Sequence, residues 1–522
     1  MKLLKLADRT VSVLGLILFG VLTGFSLFLT SYFALTYEEI PHTKGDIFPL
    51  VLLICGLLTF LMYRFSGWML KKEEGQERRI RILAGAVCLY ALVFGIWWVG
   101  AAKCLPLGDQ NSVCTAAAQF REGNYEMLTI DSYEKYLFIH PHQLGLTALI
   151  ELTFALFGNG NYVAFEYLNC VGAAVTLYAG YRITRVLTNR KQAWIYYLLL
   201  AAACFPLLFY VVFVYGEIPS ITFSALAILG FLEYRKQGVG QKRLLWLAFA
   251  CVTCALACLV RNNCLILLLA FVLILVAMTL GERNIRPLVA ALLLVLTFGG
   301  ARTVLRSSYE ARSGIELNQG APMLLYVAMG MQQGEGAPGW SNGYILHNYW
   351  GVSDFDYAAS EAMAKQDIRT SASEFVHHPK YALRFFVGKF SSEWNDPTYE
   401  CYAMTHIGGD DPRGAVADSI FNGTLHTVFE WFMNQYQSLI YGGVFLWLLY
   451  GFWRKKDLSV LVLMTVIFGG FLFHMLWEAK GRYILPYFVM MLPMAAAGLS
   501  ELSDRVNSWL RKHGKVPDRT KG

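Results

Sequence analysis

The sequence predicts an all-α polytopic membrane protein, from its composition and from the length of its apolar runs. Of the 522 residues, 56% are hydrophobic and only 16% are charged, whereas a soluble chain carries about a quarter charged residues. Many apolar runs reach the roughly 20 residues that cross a hydrocarbon core. The net charge of +7 comes from basic residues in short loops, where they orient membrane spans, and it does not point to nucleic acid.

About twelve helices are predicted to cross the membrane. The first run, Thr10–Tyr37, is too long for the apolar region of a signal peptide, so it is expected to be a retained span. The predicted spans are 10–36, 46–65, 80–103, 161–184, 192–213, 217–234, 243–259, 264–281, 286–305, 437–454, 457–476 and 482–501.

The charges of the loops predict the orientation of these spans. Lysine and arginine concentrate in alternate loops, which the positive-inside rule places in the cytoplasm together with both termini. The loops predicted to be cytoplasmic are Lys2–Arg9, Lys71–Arg81, Arg182–Lys191, Tyr234–Arg243, Glu282–Arg286, Arg454–Asp457 and the basic tail after Arg505.

One further apolar stretch, His142–Phe157, would disturb the alternation of inner and outer loops if it crossed the membrane. At sixteen residues it is short for a span, and it is interpreted as a re-entrant or interfacial helix. The alternative is a thirteenth span, which would move every later basic loop to the outer face.

The chain therefore divides into membrane bundles and two extracytoplasmic segments. The larger outer segment is expected to contain short helices at Ala358–Thr370 and Pro379–Phe390. The predicted units are three N-terminal spans (1–103), a first outer catalytic loop (104–160), central spans (161–305), a large outer segment (306–436), three C-terminal spans (437–502) and a cytoplasmic basic tail (503–522).

Several polar residues share the outer ends of the spans, which suggests a single extracytoplasmic site. Polar groups beside membrane spans are costly and are often functional. Arg and Lys at span ends also snorkel routinely, and Glu478 with Arg482 could simply pair along a helix. The candidates are Asp109, His140 and His142 (HPHQ), Glu217 (VYGEIPS), Arg261 (LVRNN), and Glu478, Lys480 and Arg482 (WEAKGRYILP).

Asp109 is the candidate catalytic residue because its carboxylate follows the third span, just past the membrane face. A carboxylate there can take a proton from a soluble acceptor while a lipid-linked donor lies beside it. General-base action contributes roughly 10²–10⁴-fold to a rate. Arginines suit the phosphate of such a donor, since the guanidinium fork can bind two oxygens at once.

The order of these motifs resembles the bacterial GT-C membrane glycosyltransferases, a group related to protein mannosyltransferases and lipid A aminoarabinose transferases (glycosyltransferase family 39-like). An Asp in the first outer loop is followed by a Pro-containing helix start, a short helix, a Glu-Pro turn and an Arg-Asn span end. The pattern ends on Arg482-Tyr483-x-x-Pro486. The likeness runs from about Ile82 to Leu502 and implies a GT-C-like bundle of about 12 (12–13) transmembrane helices with extracytoplasmic loops.

The resemblance implies inverting transfer of one sugar from a polyprenyl-phosphate donor to a cell-surface glycan, lipid or protein acceptor, in cell-envelope or cell-wall biogenesis. Asp109 matches the first-loop acid that acts as base or orients the acceptor. Arg261 and Arg482 would contact the lipid phosphate, and His140, His142 and Tyr483 would bind substrate. The chain departs from the pattern at Gly108-Asp109-Gln110, where many relatives have Asp-Glu, so the second acid is absent.

Metal dependence and disulfide bonding stay open from the sequence. No cofactor is certain, but a divalent cation could bind the acidic pairs Asp354-x-Asp356 or Asp410-Asp411. A Cys104–Cys114 disulfide is compatible with their placement in an outer loop.

Other functions remain as alternatives. A flippase for lipid-linked sugars predicts charges at mid-membrane depth and comparatively small loops, which the sequence does not show. A polysaccharide polymerase or ligase would share the outer arginines without depending on Asp109. A non-enzymatic assembly scaffold would not depend on Asp109 either.

Overall fold

The computed structural model describes residues 2–33, 40–334, 336–406, 413–452 and 461–513. Within these ranges nearly all regular structure is helical, which confirms the all-α class. One antiparallel hairpin, β1 (Leu29–Phe33) with β2 (Pro41–Gly45), follows the first helix. The predicted first span therefore ends earlier than expected, because the polar residues from Thr30 onward form this hairpin. The Thr30 hydroxyl there donates to the Asp46 carboxylate.

The helices of the N-terminal half alternate between long membrane helices and short ones in the first outer loop. They are α1 Lys2–Phe28, α2 Phe48–Met69, α3 Gln76–Ala102, α4 Asp109–Arg121, α5 Tyr136–Ile139, α6 Leu144–Phe157, α7 Tyr162–Leu187, α8 Lys191–Ala202, α9 Phe205–Phe209, α10 Glu217–Lys236 and α11 Gln241–Val260, with 3₁₀ turns at Glu126–Leu128, Pro141–Gln143 and Tyr210–Val212.

The C-terminal half contains the larger outer segment between membrane helices. Its helices are α12 Leu265–Glu282, α13 Arg286–Ser313, α14 Met323–Gly330, α15 Tyr344–Leu346, α16 Tyr357–His377, α17 Pro379–Trp394, α18 Ala403–His406, α19 Ala415–Asn422, α20 Thr424–Gly451, α21 Val462–Leu476 and α22 Leu485–Lys512, with 3₁₀ turns at Asn262–Cys264 and Gly481–Tyr483 and a π-helical turn at His347–Val352.

Fewer helices than the expected twelve meet the requirements of a span by length and composition. Among the described residues eight do so, or nine if α8 and the helix after it, bent by 46°, form one broken span. The other predicted spans correspond to α10, α20 and α21. Of these, α21 has only 15 residues and α10 carries Glu217 and Glu233 near its ends. The two helices predicted in the large outer segment are present as α16 and α17, both longer than expected.

Loops predicted to be cytoplasmic meet at one end of the bundle, whereas the predicted loop Arg454–Asp457 lies outside the described residues. Arg185 at the end of α7 lies 3.7 Å from Glu77 at the start of α3, and Arg190 lies 2.8 Å from Asp504 in α22. Since α3 and α7 run antiparallel, the chain leaves α3 and enters α7 at the opposite end. The fourteen-residue α6 lies between them without crossing the bundle.

The backbones of α20 and α22 come into direct contact at two glycines, Gly443 and Gly498. A Cβ at Gly498 would lie 2.0 Å from the Gly443 carbonyl oxygen and 2.6 Å from the Trp447 nitrogen. The backbones of the two helices therefore approach at a distance that only glycine permits. This contact fixes α22, whose apolar part is largely buried, in the centre of the protein.

We expect Gly498→Ala to destabilise the protein, because the two helices must separate to admit the methyl group. Overpacking of this kind costs about 1–3 kcal/mol. The thermal unfolding midpoint in detergent measures the effect. Gly56→Ala in α2 is the matched control, since a Cβ there meets nothing within 4 Å. Equal midpoints for the two variants would contradict the tight contact.

Candidate active site

A polar cavity of about 260 Å³ lies at the end of the bundle opposite the basic loops. It is enclosed by the first outer loop, the ends of α10 and α11, and the segment between α21 and α22. Seven of the nine predicted site residues line it, and their roles stay predictions. These seven are Asp109, His140, His142, Arg261, Glu478, Arg482 and Tyr483.

Asp109 is the first residue of α4 and its side chain is 48% exposed. The chain reaches α4 through Gly108, whose φ of 53° is a conformation that glycine adopts readily. Asp109 Oδ2 lies 3.7 Å from Arg482 Nη2. Exposed N–H groups at a helix start also favour a negative charge. Asp109 therefore presents an accessible carboxylate to the cavity.

Gln110, which stands where many relatives have a second acid, is buried behind Asp109. Its Oε1 accepts a hydrogen bond of 2.8 Å from the Val214 backbone nitrogen. This bond ties the start of α4 to the segment before α10. The neutral amide thus has a positioning task here and does not face the cavity.

A buried acid, Glu217, supports the cavity from below. It is fully buried, and Oε1 lies 2.7 Å from Arg261 Nη1 and 4.0 Å from Arg482 Nε. Glu400 approaches from the other side, where its Oε1 accepts a 3.1 Å hydrogen bond from the Arg482 backbone nitrogen. Burial raises the pKa of Glu400 to about 7. Both arginines are therefore held by acids inside the protein.

Sequence reasoning missed the turn that carries Glu400. Asp396 caps this turn, accepting from the Thr398 nitrogen at 2.9 Å and the Glu400 nitrogen at 2.8 Å. Tyr399 and Glu400 both have positive φ, a costly conformation for non-glycine residues. The acids in SSEWNDPTYE were the available signal. Trp394 and Tyr399 of the same stretch are fully buried, so they pack within the protein and do not face a sugar.

The two histidines of HPHQ lie together on the cavity wall as neutral groups. Burial lowers the pKa of His140 to about 4, and burial followed by the charge of His140 lowers that of His142 to about 3. His140 Nδ1 lies within hydrogen-bond distance, 2.9 Å, of the Tyr326 hydroxyl. The Ala321 nitrogen donates to the Ile139 carbonyl at 2.9 Å, which anchors the segment. The histidines therefore offer hydrogen bonds, not positive charge.

The side chains of Glu478 and Lys480 point in different directions, although the two residues are only two positions apart in the sequence. Glu478 faces the cavity and accepts a 3.2 Å hydrogen bond from the Tyr483 hydroxyl. The proposed pairing of Glu478 along the chain with Arg482 is replaced by the contacts of Arg482 with Asp109 and Glu217. Lys480 points away, with its ammonium 5.4 Å from the centre of the Trp340 ring.

Aromatic side chains that the sequence did not single out complete the wall. The hydroxyls of Tyr136 and Tyr215 lie 2.9 Å apart, and Tyr326 stacks on Trp477 with ring centres 5.0 Å apart. Tyr215 could have been found from the sequence, because it directly precedes the Gly-Glu pair of the candidate motif VYGEIPS. Tyr136 and Tyr326 could not, because only tertiary packing brings them to the cavity.

The described part of the chain contains neither the disulfide nor the metal site that the sequence left open. All eleven cysteines are free, and Cys104 Sγ donates instead to the Thr405 carbonyl at 2.9 Å. The Cys104–Cys114 disulfide is therefore absent. Among the described residues no group of three or more His, Cys, Asp or Glu side chains could hold a metal ion. Asp410 and Asp411 lie outside those residues.

We expect Glu217→Gln to destabilise the protein strongly, because it leaves Arg261 and Arg482 without their buried counter-charge. Removing one partner of a buried pair costs about 3–5 kcal/mol. The unfolding midpoint measures it, with Glu501→Gln as control, since its partner Arg505 is half exposed. A midpoint as high as that of the control would show that Glu217 does not hold the arginines.

Comparison with known proteins connects this site to a family. Residues 140–304 match the family model for dolichyl-phosphate-mannose-protein mannosyltransferases, and no curated protein matches the chain. The segment contains His140, His142 and Arg261 of the cavity wall, and Glu217, which pairs with Arg261 behind it. The match supports a membrane glycosyltransferase.

Two solved structures from Archaeoglobus fulgidus are similar at low identity. One is the archaeal oligosaccharyltransferase AglB in complex with an inhibitory peptide and a dolichol-phosphate, with TM-score 0.36, 12% identity, and 79% of this chain covering 52% of that one. The other is an oligosaccharyltransferase complex with Zn and sulfate, with TM-score 0.37, 13% identity, and coverage of 76% and 50%. The chain spans about half the length of each. The match of residues 140–304 to the mannosyltransferase family model confirms a resemblance to the GT-C membrane glycosyltransferases.

Proposed function

We propose that this protein transfers one monosaccharide from a polyprenyl-phosphate donor to a hydroxyl of a cell-surface glycan, lipid or protein acceptor, with inversion at the anomeric carbon. The observation that carries the proposal is the accessible carboxylate of Asp109, 3.7 Å from Arg482 on the wall of a polar cavity. The family match over residues 140–304 supports the same reaction class.

Asp109 acts as the general base. The acceptor oxygen attacks the anomeric carbon and forms the new glycosidic bond, while its proton passes to the carboxylate. The bond from the anomeric carbon to the phosphate oxygen breaks, and its electron pair leaves with polyprenyl phosphate. Arg482 fixes the direction of the Asp109 carboxylate, since Glu217 and Glu400 hold the arginine in place. Holding both substrates in this geometry supplies much of the remaining acceleration.

The sugar fits the aromatic and neutral polar part of the cavity. Tyr136, Tyr215, Tyr326 and Trp477 offer ring faces and hydroxyls, and His140 adds a neutral hydrogen-bonding group. Aromatic faces with a polar edge suit the mixed apolar and polar surface of a sugar ring.

The cavity is assigned to the extracytoplasmic face. It lies at the end of the bundle opposite the basic loops that contain Arg185 and Arg190. The positive-inside rule places those loops in the cytoplasm of a bacterial cell membrane. The large outer segment contributes to the cavity wall through α14 and through Ser341 and Ile345, which places that segment on the side of the acceptor.

We expect Asp109→Asn to lower transfer of labelled sugar from polyprenyl-phosphate monosaccharides by about 10²–10⁴-fold, the range of general-base action. The assay uses liposomes that contain the protein, a panel of donors and an acceptor extract. Asp131→Asn, an exposed acid of the same outer loop, should transfer as the wild type does. Equal transfer by Asp109→Asn would remove Asp109 from the reaction.

The activity should also depend on pH near neutrality through Glu478. Burial is the main cause that raises the pKa of Glu478 to about 7, with a smaller contribution from Asp109, and Arg482, Tyr483 and Lys389 oppose the rise. As pH rises through 7 the proton leaves, and the cavity gains a negative charge that repels the anionic donor. We expect KM for the donor to rise roughly two- to fivefold between pH 6 and 8, and Glu478→Gln to flatten the rise. An unchanged profile in that variant would contradict the assignment to Glu478.

A further inference from the structure

A second chamber of about 390 Å³ adjoins the polar cavity. It lies among α6, α11, α13 and the segment that leads to α14. The two spaces share His142, Asn262 and Met323 in their walls. One side of the second chamber is apolar and formed by membrane helices, and the other side is polar.

The polar side of the second chamber is rich in hydrogen-bond donors and positive charge. Arg302 and Arg306 of α13 line it, and within the described residues no aspartate or glutamate does. Arg306 is paired with Glu310 at 2.9 Å, whereas Arg302 has no ion-pair or hydrogen-bond partner in the described chain. Asn318 Nδ2 is buried there and also has no acceptor. The chamber therefore has an exposed cation without a counter-charge among the described residues, and a buried donor without an acceptor.

The Asp109 cavity is charged in the opposite sense. Its two arginines face Asp109 and the buried Glu217, so their charges are already compensated inside the protein. Glu478 adds a further acidic group to the wall. An anion entering the pair of chambers is therefore attracted most strongly toward Arg302.

We propose that the second chamber binds the phosphate of the polyprenyl carrier, with Arg302 and Asn318 as its ligands. The sugar then lies beside His142 and Asn262, between Arg302 and the Asp109 carboxylate. In an inverting transfer the attacking and leaving oxygens lie on opposite faces of the anomeric carbon. A base in one chamber and a phosphate cradle in the next provide this arrangement, and the isoprenoid leaves along the exposed face of α13.

This assignment deepens the proposed function and rests on it for the role of the phosphate as leaving group. It differs from the expectation that Arg261 and Arg482 contact the lipid phosphate. Under this assignment Arg261 and Arg482 remain in the Asp109 cavity as positioning residues for Asp109, while Arg302 in the second chamber touches the substrate. The electron pair of the broken bond then goes to a phosphate oxygen held by Arg302.

Binding of the product lipid tests the inference without requiring transfer. Native mass spectrometry of the protein in nanodiscs, titrated with undecaprenyl phosphate, gives the affinity, with undecaprenol, phosphatidylglycerol and inorganic phosphate as separate arms. We expect Arg302→Gln to weaken undecaprenyl phosphate binding at least tenfold, Arg302→Lys to restore part of it, and undecaprenol binding to stay unchanged. Arg286→Gln, exposed at the other end of α13, is the matched control.

Three outcomes would overturn the inference. The first is unchanged undecaprenyl phosphate binding in Arg302→Gln. The second is an equal loss of phosphatidylglycerol binding in that variant, which would indicate a general phospholipid site. The third is a loss of undecaprenyl phosphate binding in Arg261→Gln instead, which would place the phosphate in the Asp109 cavity. Tight inorganic phosphate binding that depends on Arg302 would support the phosphate cradle while showing that the lipid chain adds little. Loss of lipid binding in Arg302→Gln without sugar transfer by the wild type would keep the cradle and reject the proposed function.

Discussion

The whole site depends on a fully buried carboxylate, Glu217, that two arginines share. Arg261 comes from the end of α11 and Arg482 from the turn before α22, so one acid joins three parts of the chain that are distant in sequence. A buried charge is tolerated only when it is paired. This requirement fixes the ends of α10, α11 and α22 at one level, and the cavity forms where those ends meet the first outer loop.

Charge compensation also separates the tasks of the neighbouring residues. Arg482 contacts Asp109 and Glu217 with its side chain and Glu400 with its backbone. A cation with so many acidic neighbours has little attraction left for a further anion. It has a strong influence on where the Asp109 carboxylate points. The same reasoning makes Arg302, which has no such neighbour in the described chain, the better group for a phosphate.

The sequence indicated which residues meet in the site, but not which of them face the cavity and which support it from within the protein. Span ends on one side of a membrane must lie at one level, so Asp109, Arg261 and Arg482 could be expected together from topology alone. The direction of each side chain depends on packing, and Lys480 turns toward Trp340 for that reason. Acids that act from beneath, such as Glu400, are hidden in an irregular turn that no periodicity predicts. Among the described residues α10 falls short of the composition of a span for a related reason, since it is shielded by protein and tolerates acids at its ends.

The two adjoining chambers suit the inverting transfer proposed for this protein. The polar cavity offers a carboxylate and ring faces, and the second chamber offers an uncompensated cation beside membrane helices. His142 stands between them and is neutral because it is buried. In the proposed transfer a neutral divider is favourable at this point, since a positive His142 would attract the phosphate toward Asp109 and shorten the distance between base and leaving group. Burial of HPHQ by the segment before α14 would then hold the attacking and departing oxygens on opposite faces of the sugar.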